Sequence, residues 1–284
     1  MKPSGISWTD YSGGNLNFVT GCTPTSAGCE NCYARAIYER FGRDHSVVQT
    51  HPEKLERLWR QSFHGQTDWR SRNGGTRPMA FVCDTGDLFH EDVPTDFIVE
   101  ALGIMSRRPD VIWQVLTKRP ERMRAVVWEI VVVSRVIWPE HIWLGVTVEN
   151  QAMADERIPL LLDTPAVVRW LSVEPMLERV DLRGIADGSW YDKEGASRYN
   201  ALTGSAWWGG TGEHGLSGGP RLDWVVCGAE SGPNRRPFDV AWAVDLYEQC
   251  RTAGVPFFYK QGSDLKPGQH DELPGIGEVK EWPR

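Results

Sequence analysis

The feature of this sequence that most constrains its fold is a regular alternation of short apolar runs with amphipathic segments. Six runs are rich in β-branched or aromatic residues and end in polar residues or glycine, which predicts β-strands. They are MAFVCD (79–84), VIWQVLT (111–117), HIWLGVT (141–147), VVRWLSV (167–173), DWVVCG (223–228) and VPFFYKQ (255–261). Their nearly continuous apolar character is typical of strands that a parallel sheet buries on both faces.

Helical patterns occupy the stretches between these runs. Three begin with proline, a favoured first-turn residue, and the last ends before Gly254, a typical C-cap. The predicted helices cover 33–41, 52–61, 94–108, 120–136, a shorter stretch between 148 and 162, and 238–253. Strands that alternate with helices predict βαβ units with right-handed crossovers. With a further strand just before Cys22, the sequence predicts an α/β fold, a partial or closed parallel (β/α) barrel.

One segment interrupts the alternation. Residues 178–222 are rich in glycine and serine but also contain Trp190, Trp207 and Trp208, which a purely flexible linker would not carry. We interpret this segment as a long inserted loop, or lid, over the barrel mouth before the sixth strand. A disordered insertion without a role is the alternative. Apart from this insertion, we expect residues 1–284 to form a single (β/α)-barrel domain.

Charge and hydropathy exclude some classes of function. The chain has a net charge of −7, so it lacks the overall basic surface of a protein that binds nucleic acid with its whole face. A local basic groove stays open, because residues 107–124 are rich in lysine and arginine. The N-terminus lacks the apolar core of a signal peptide, and the run AVVWEIVVVSRVIW is too short and too charged to cross a bilayer. We therefore expect a cytoplasmic protein without a membrane partner.

Three of the six cysteines lie close together. Cys22, Cys29 and Cys32 have the spacing C-x6-C-x2-C, directly after the predicted first strand and directly before a helix. In a reducing compartment such a group is typical of metal binding or catalysis rather than of disulfides. A structural zinc site needs a fourth cysteine or histidine, and no second CxxC or HxxxH pair supplies one. An iron–sulfur cluster on three thiolates leaves one iron open, so the sequence favours 4Fe–4S, with zinc as the alternative.

The cysteine loop and the strand ends carry resemblances to known families. The chain resembles a phage-associated three-cysteine-motif family of poorly defined function along nearly its whole length. The matching stretches are ISWTD, TGCTPTSAGCENCYAR, GDLFHEDVP, LTKRPERM, IWLGVTVEN, RWLSVEPML, DWVVCGAESGPNRRP and AGVPFFYKQG. The cysteine loop is also similar to the cluster loop of radical SAM enzymes of the spore-photoproduct-lyase type. It is three residues longer than the usual C-x3-C-x2-C, and Asn31 replaces the aromatic residue that usually precedes the last cysteine.

The second resemblance implies a function. It implies a radical SAM enzyme with a 4Fe–4S cluster, S-adenosylmethionine (SAM) as cofactor, an external electron donor, and a 5′-deoxyadenosyl radical that removes a substrate hydrogen. The phage association and the repair enzyme imply a nucleotide or nucleic-acid substrate, in DNA modification or repair inside the host cell. Catalytic residues stay unknown. Two alternatives remain: a zinc-stabilised nucleic-acid-binding or nuclease-like protein, and an iron–sulfur accessory protein without radical chemistry.

Polar residues follow the predicted strands, at the edge where the reactive groups of a (β/α) barrel gather. Carboxylates and hydroxyls suit an ammonium and ribose hydroxyls, and arginines suit carboxylate or phosphate. For the first two acids, ordinary turn chemistry is the alternative. The predicted cofactor-binding residues are Asp84, Asp87, Lys118, Thr147, Glu149, Ser172, Glu174 and Gly228. The predicted substrate-binding residues are Glu230, Arg235, Arg236 and Lys260.

Overall fold

The computed structural model describes residues 3–63, 75, 77–186, 198–208 and 214–283. The chain divides into two compact units. The first contains the residues up to 145 together with 165–167, and the second contains 146–164 and 168–283. The prediction of a single barrel domain stays a prediction.

The first unit contains the cysteine loop and the first half of the predicted alternation. Its described helices are α1 (Tyr33–Arg40), α2 (Pro52–Leu58), α3 (Thr95–Ser106) and α4 (Pro120–Trp128), which continues as a π-helical turn over Glu129–Val133. Its strands are β1 (Val19–Thr20), β2 (Gln49–Thr50), β3 (Met79–Phe81), β4 (Ile112–Thr117) and most of β5 (Ile142–Thr147). Proline occupies the first turn of α2 and α4, as the sequence predicts.

The second unit contains the remaining elements. Its described helices are α5 (Gln151–Asp163) and α6 (Val240–Ala253). Its strands are β6 (Arg169–Val173), β7 (Ile185–Ala186), β8 (Arg198–Asn200), β9 (Ser205–Trp208), β10 (His214–Leu216), β11 (Trp224–Gly228), β12 (Phe257–Gln261), β13 (Glu272–Leu273) and β14 (Gly277–Glu278). Helix α6 ends at Gly254, whose φ of 69° is the left-handed conformation of a C-cap glycine.

Six strands form one parallel sheet in the order β3-β4-β5-β6-β11-β12. These are the six apolar runs of the sequence, and the predicted α/β fold, a partial (β/α) barrel, is confirmed. Burial explains why the runs lack alternation: every residue of β5 and of β11 is buried. Large indole rings fill the space beside the strands, with the Trp170 and Trp224 ring centroids 5.5 Å apart. The described strands leave β3 and β12 as the two edges of the sheet.

The predicted first strand exists but does not extend this sheet. β1 pairs with β2 in an antiparallel ladder, with Val19 opposite Thr50, and a bridge between Gly21 and Gly86 links it toward β3. The segment 178–222 also differs from the predicted loop, because β7, β8, β9 and β10 form an antiparallel sheet there. Strands of two to four residues give no periodic signal, so a glycine-rich sequence hides them. Residues 187–197 and 209–213 of the predicted lid lie outside the described residues, and the lid role stays a prediction.

Among the described residues, no helix combines the length and the apolar character that a membrane span requires.

Candidate functional site

The cysteine loop is held at its start by backbone contacts that need glycine. The Gly21 N–H donates to the Thr85 carbonyl at 3.1 Å, and the Cys22 N–H donates to the His45 carbonyl at 2.8 Å. Gly21 has a φ of 81°, and a Cβ there would lie 2.1 Å from the Val47 carbonyl oxygen. A side chain therefore cannot be accommodated at this position without moving the backbone.

The end of the loop is set by two helical turns. Cys29 closes the 3-10 turn Ala27–Cys29, and Cys32 is the N-cap residue of α1. The next residue, Tyr33, donates its hydroxyl to the Asp84 carbonyl oxygen. The loop is thus attached to the segment after β3 at both ends, and all three of its cysteines are free and half-buried.

Arg119 is the second residue after β4. It connects the cysteine loop to two carboxylates. Its Nη1 donates to Cys22 Sγ at 3.4 Å and to Asp87 Oδ2 at 3.1 Å, and its Nε donates to Glu91 Oε2 at 2.7 Å. Its Nη2 donates to the Thr23 carbonyl oxygen at 3.1 Å and to Thr23 Oγ1 at 3.0 Å. All five N–H groups of a guanidinium are therefore satisfied. The hydrogen bond from Arg119 lowers the pKa of Glu91 to about 2.

Asp87 anchors this guanidinium. Its carboxylate accepts from Thr117 Oγ1 at 2.8 and 2.9 Å, from the Phe89 N–H at 2.9 Å and from the Lys118 N–H at 3.3 Å, in addition to Arg119. Only 5% of the residue is exposed. Because its two oxygens already accept these five contacts, Asp87 orients Arg119 in this structure. Its predicted contact with a cofactor stays a prediction.

The electrostatic environment differs between two of the thiols. Burial raises the pKa of Cys22 to about 11, with Asp87 adding to the effect and Arg119 opposing it. Burial also acts to raise the pKa of Cys29. The charge of Lys118 and hydrogen bonds from Thr25 and Ser26 outweigh burial, so the pKa of Cys29 is lowered. Of the two, Cys29 is the thiol more readily deprotonated.

Lys118 is the open cation of this region. The side chain is half-buried, and its ammonium makes no ion pair or hydrogen bond within the described ranges of the chain. It acts on Cys29 through its charge. A half-buried ammonium beside the Cys29 thiol offers a position for an anionic group such as a carboxylate.

His90 is a buried neighbour of this network. Its ring is fully buried, and its Nδ1 accepts from the Asp92 N–H at 3.1 Å, so Nε2 carries the proton of the neutral ring. Nε2 then donates to Thr23 Oγ1 at 2.8 Å. Burial and the charge of Arg119 lower the pKa of His90, which keeps the ring neutral near pH 7.

Asp84 lies apart from the Arg119 network. Asn17 Nδ2 donates to Asp84 Oδ1 at 2.5 Å, and burial raises the pKa of the carboxyl against this hydrogen bond and others from Ser12 and Gly13. The structure thus separates the two aspartates that the sequence placed together. The predicted cofactor role of Asp84 stays a prediction.

In the second unit, three predicted residues lie together at the ends of neighbouring strands. Glu174, directly after β6, forms an ion pair with Lys260 of β12, and the two side chains are 19% and 20% exposed. Gly228 ends β11 beside them: a Cβ there would lie 3.4 Å from Lys260 Cβ and 3.5 Å from Glu174 Cδ. The peptide bond between Glu174 and Pro175 is cis.

Glu149 is satisfied inside the second unit by a residue that the sequence analysis missed. Its fully buried carboxylate lies 3.3 Å from Arg157 Nη1 of α5, which also donates to the Thr147 carbonyl at 2.9 Å. Ser172 is buried, and its carbonyl accepts from the Val148 N–H at 2.9 Å. The cost of burying Glu149 is thus met by Arg157. The predicted cofactor contacts of Thr147, Glu149 and Ser172 stay predictions.

The loop after β11 has an internal ion pair. Glu230 accepts from the Arg236 N–H at 2.7 Å and from Arg236 Nε at 3.2 Å, and only 7% of the Glu230 side chain is exposed. Arg235 donates instead to the Gly232 carbonyl at 3.1 Å. The pair fixes the loop conformation, and the predicted substrate contacts of these residues and of Lys260 stay predictions.

Residues 3–273 match the model of a family described as "Protein of unknown function (DUF5131)". The chain belongs to this family. No curated protein matches the sequence. Among solved structures, "Spore photoproduct lyase complexed with dinucleoside spore photoproduct" is similar at a TM-score of 0.42 and 10% identity, over 91% of this chain and 76% of that chain. The family has no assigned function, and the expected phage association stays a prediction.

The cysteine loop of this DUF5131 member can be compared with the needs of an iron–sulfur cluster. Within the described ranges, no group of three or more His, Cys, Asp or Glu side chains is arranged to hold a metal ion. The donor chemistry does fit: three free thiols share one loop of eleven residues, and one of them accepts an N–H hydrogen bond. Thiolate ligands with N–H donors to sulfur are the groups that such clusters use.

Arg119 and Arg157 are two cations of these networks that the predicted site does not contain. Arg119 had a signal in the sequence, since LTKRP places two cations after one strand, of which the predicted site contains only Lys118. Arg157 had a weaker signal, a single cation on the apolar face of a predicted helix. Both arginines are at least nine-tenths buried, and buried arginines almost always have a carboxylate partner.

Proposed function

We propose that this protein is a radical SAM-type iron–sulfur enzyme whose cluster is held by Cys22, Cys29 and Cys32. The observation that carries the proposal is the loop between β1 and α1, where three free, half-buried thiols are held by backbone contacts and Arg119 donates to one of them. When bound, a 4Fe–4S cluster with SAM supplies one-electron cleavage of SAM and a 5′-deoxyadenosyl radical.

The residues around the loop have definite tasks in this proposal. Arg119 orients the Cys22 sulfur and offsets part of the negative charge that three thiolates bring together. Asp87 and Glu91 fix the guanidinium, so its direction does not depend on solvent. Lys118 is suited to bind the carboxylate of SAM, because its ammonium lies beside Cys29 without another acceptor among the described residues.

The substrate class follows from the sequence resemblance. We take it to be a nucleotide or nucleic acid, and an external donor supplies the electron that cleavage of SAM requires. Each predicted contact residue of the second unit is a separate candidate for binding a ligand. Of these, Glu174 and Lys260 are the clearest, since both retain exposure while they pair with each other.

The deciding experiment is an anaerobic SAM cleavage assay. Reconstituted protein is reduced, mixed with SAM and analysed for 5′-deoxyadenosine by liquid chromatography and mass spectrometry. We expect product from the wild type and none from Cys29→Ala. Lys118→Ala should retain the cluster but bind SAM about tenfold or more weakly, because a charge-assisted contact is lost. A wild type that holds iron and sulfide but neither binds nor cleaves SAM would instead be an iron–sulfur accessory protein.

A further inference from the structure

A cleft of about 900 Å³ lies within the first unit, bordered by α1, α2 and the segment that joins them. Its volume is in the range of small-molecule sites, roughly 300–1,000 Å³. None of the three loop cysteines lines it, nor does Lys118 or Arg119. The cleft is therefore a feature that the proposed reaction leaves unused.

Three permanent cations line the cleft: Arg43, Lys54 and Arg57. The Lys54 ammonium donates to the Asn17 carbonyl at 3.1 Å. Within the described part of the chain, neither guanidinium makes an ion pair or a side-chain hydrogen bond. Two arginines on one cleft thus keep all their donors available, and the planar guanidinium fork suits the oxygens of phosphate.

Neither carboxylate of the cleft forms an ion pair with these cations within the described residues. Asp44 Oδ1 accepts from the Ser46 N–H at 2.8 Å and from Ser46 Oγ at 2.7 Å, while Glu53 Oε1 lies 3.6 Å from His51 Nδ1. Three cations against two carboxylates leave a surplus of one positive charge. The surplus is notable on a chain with a net charge of −7, because the overall charge of the chain repels anions.

The rest of the lining is suited to an organic group. Tyr38 is half-buried, and its ring is held by an edge-to-face contact with His45, with centroids 4.9 Å apart. Amide and hydroxyl groups of Asn15, Gln49 and Thr85 also line the cleft. An aromatic ring can stack on a base, and amides and hydroxyls can bond the polar edge of the base.

We propose that this cleft binds a phosphate-bearing ligand of nucleotide size, with Arg43, Lys54 and Arg57 on the phosphate and Tyr38 against the base. The site does not depend on the cluster or on SAM. The ligand is either a free nucleotide or a nucleotide within a single strand, because both present the same phosphate and base.

The test is calorimetric titration of the full-length protein with inorganic phosphate, AMP and a single-stranded DNA dodecamer. The variant pair is Arg43→Gln with Arg57→Gln. The matched control is Arg40→Gln with Arg60→Gln, which removes the same charge from exposed positions that do not line the cleft. We expect the first pair to weaken AMP or DNA binding at least tenfold and the control pair to change it less than twofold. Tyr38→Leu should weaken AMP binding but not the weaker binding of phosphate.

The titrations distinguish a free nucleotide from a nucleotide within a strand, and they also define the results that would overturn the proposal. Saturable AMP binding at least as tight as DNA binding identifies a free nucleotide, and DNA binding much tighter than AMP, with a steep salt dependence, identifies a strand. The proposal is overturned if neither binds the wild type, if both variant pairs lose affinity equally, or if phosphate binds as tightly as AMP. Cys29→Ala should bind as the wild type does, so failure of the radical SAM proposal leaves this result unchanged.

Discussion

One nitrogen of Arg119, Nη1, donates to both Cys22 Sγ, at 3.4 Å, and Asp87 Oδ2, at 3.1 Å. This relationship joins the cysteine loop to the carboxylate that follows β3. Because Asp87 is held in turn by Thr117 of β4, the position of the Cys22 sulfur depends on two strands as well as on its own loop. The Arg119 and Asp87 side chains are buried, so neither can be replaced by water at low cost.

Arg119→Gln should destabilise the protein by about 3 kcal/mol, because it leaves the Asp87 carboxylate buried without a cation. The free energy of unfolding in urea measures this loss. Asp87→Asn in the Arg119→Gln background should recover part of it, so the double variant should cost less than the sum of the single ones. Arg40→Gln, which removes an exposed guanidinium, should change stability by less than about 0.5 kcal/mol. Additive costs for Arg119 and Asp87 would show that the two side chains are not coupled.

Cys29 should be alkylated before Cys22 in the metal-free protein. The thiolate is the reactive form. With a pKa of about 11, only about one Cys22 thiol in a thousand is ionised at pH 8, whereas the pKa of Cys29 is lowered and its ionised fraction is far larger. Iodoacetamide labelling followed by peptide mass spectrometry, across about pH 6.5–9, gives the two rates. Lys118→Ala should slow Cys29 by removing the cation that lowers its pKa, and earlier labelling of Cys22 would contradict the assignment.

The fold was largely predictable from the sequence, whereas the hydrogen-bond and ion-pair networks of the side chains were not. The six strands of the sheet are visible as apolar runs because burial on both faces removes polar residues from them. The pairing of β1 with β2 has no such signal, since each strand has only two residues. The Glu149–Arg157 pair depends on how α5 is rotated against the strand end, and the Arg119–Cys22 contact depends on two side-chain directions. Sequence spacing does not determine such contacts.

Gly21→Ala should disturb the cysteine loop more than a second glycine substitution with a similar backbone angle. A Cβ at Gly21 would meet the Val47 carbonyl oxygen at 2.1 Å, whereas a Cβ at Gly42, with a φ of 64°, would meet nothing within 4 Å. Gly42→Ala should therefore cost only the left-handed strain of about 1–2 kcal/mol, and Gly21→Ala more than that. Thermal unfolding of both variants measures the difference. Equal melting temperatures would mean that the loop start adapts freely.

The Glu174–Lys260 pair should show a coupling free energy of about 1–2 kcal/mol, because both side chains are about four-fifths buried and each would lose its partner. A double-mutant cycle with Glu174→Gln and Lys260→Met, measured by urea unfolding, gives this value. The Arg251–Glu248 pair is the matched control: its side chains are 59% and 45% exposed, and its coupling should be below about 0.5 kcal/mol. Equal coupling free energies for the two pairs would show that the Glu174–Lys260 pair is no stronger than an exposed surface pair.

The central claim, that Cys22, Cys29 and Cys32 hold one iron–sulfur cluster, is tested most directly by metal analysis after anaerobic reconstitution. The proteins to compare are the wild type, the alanine variants of these three residues, and Cys250→Ala, which removes a fully buried thiol within α6. We predict about four irons per chain and a broad absorption near roughly 400 nm in the wild type and in Cys250→Ala, with both lost in the other three variants. Equal iron in all four variants, or zinc without iron in the wild type, would contradict the account.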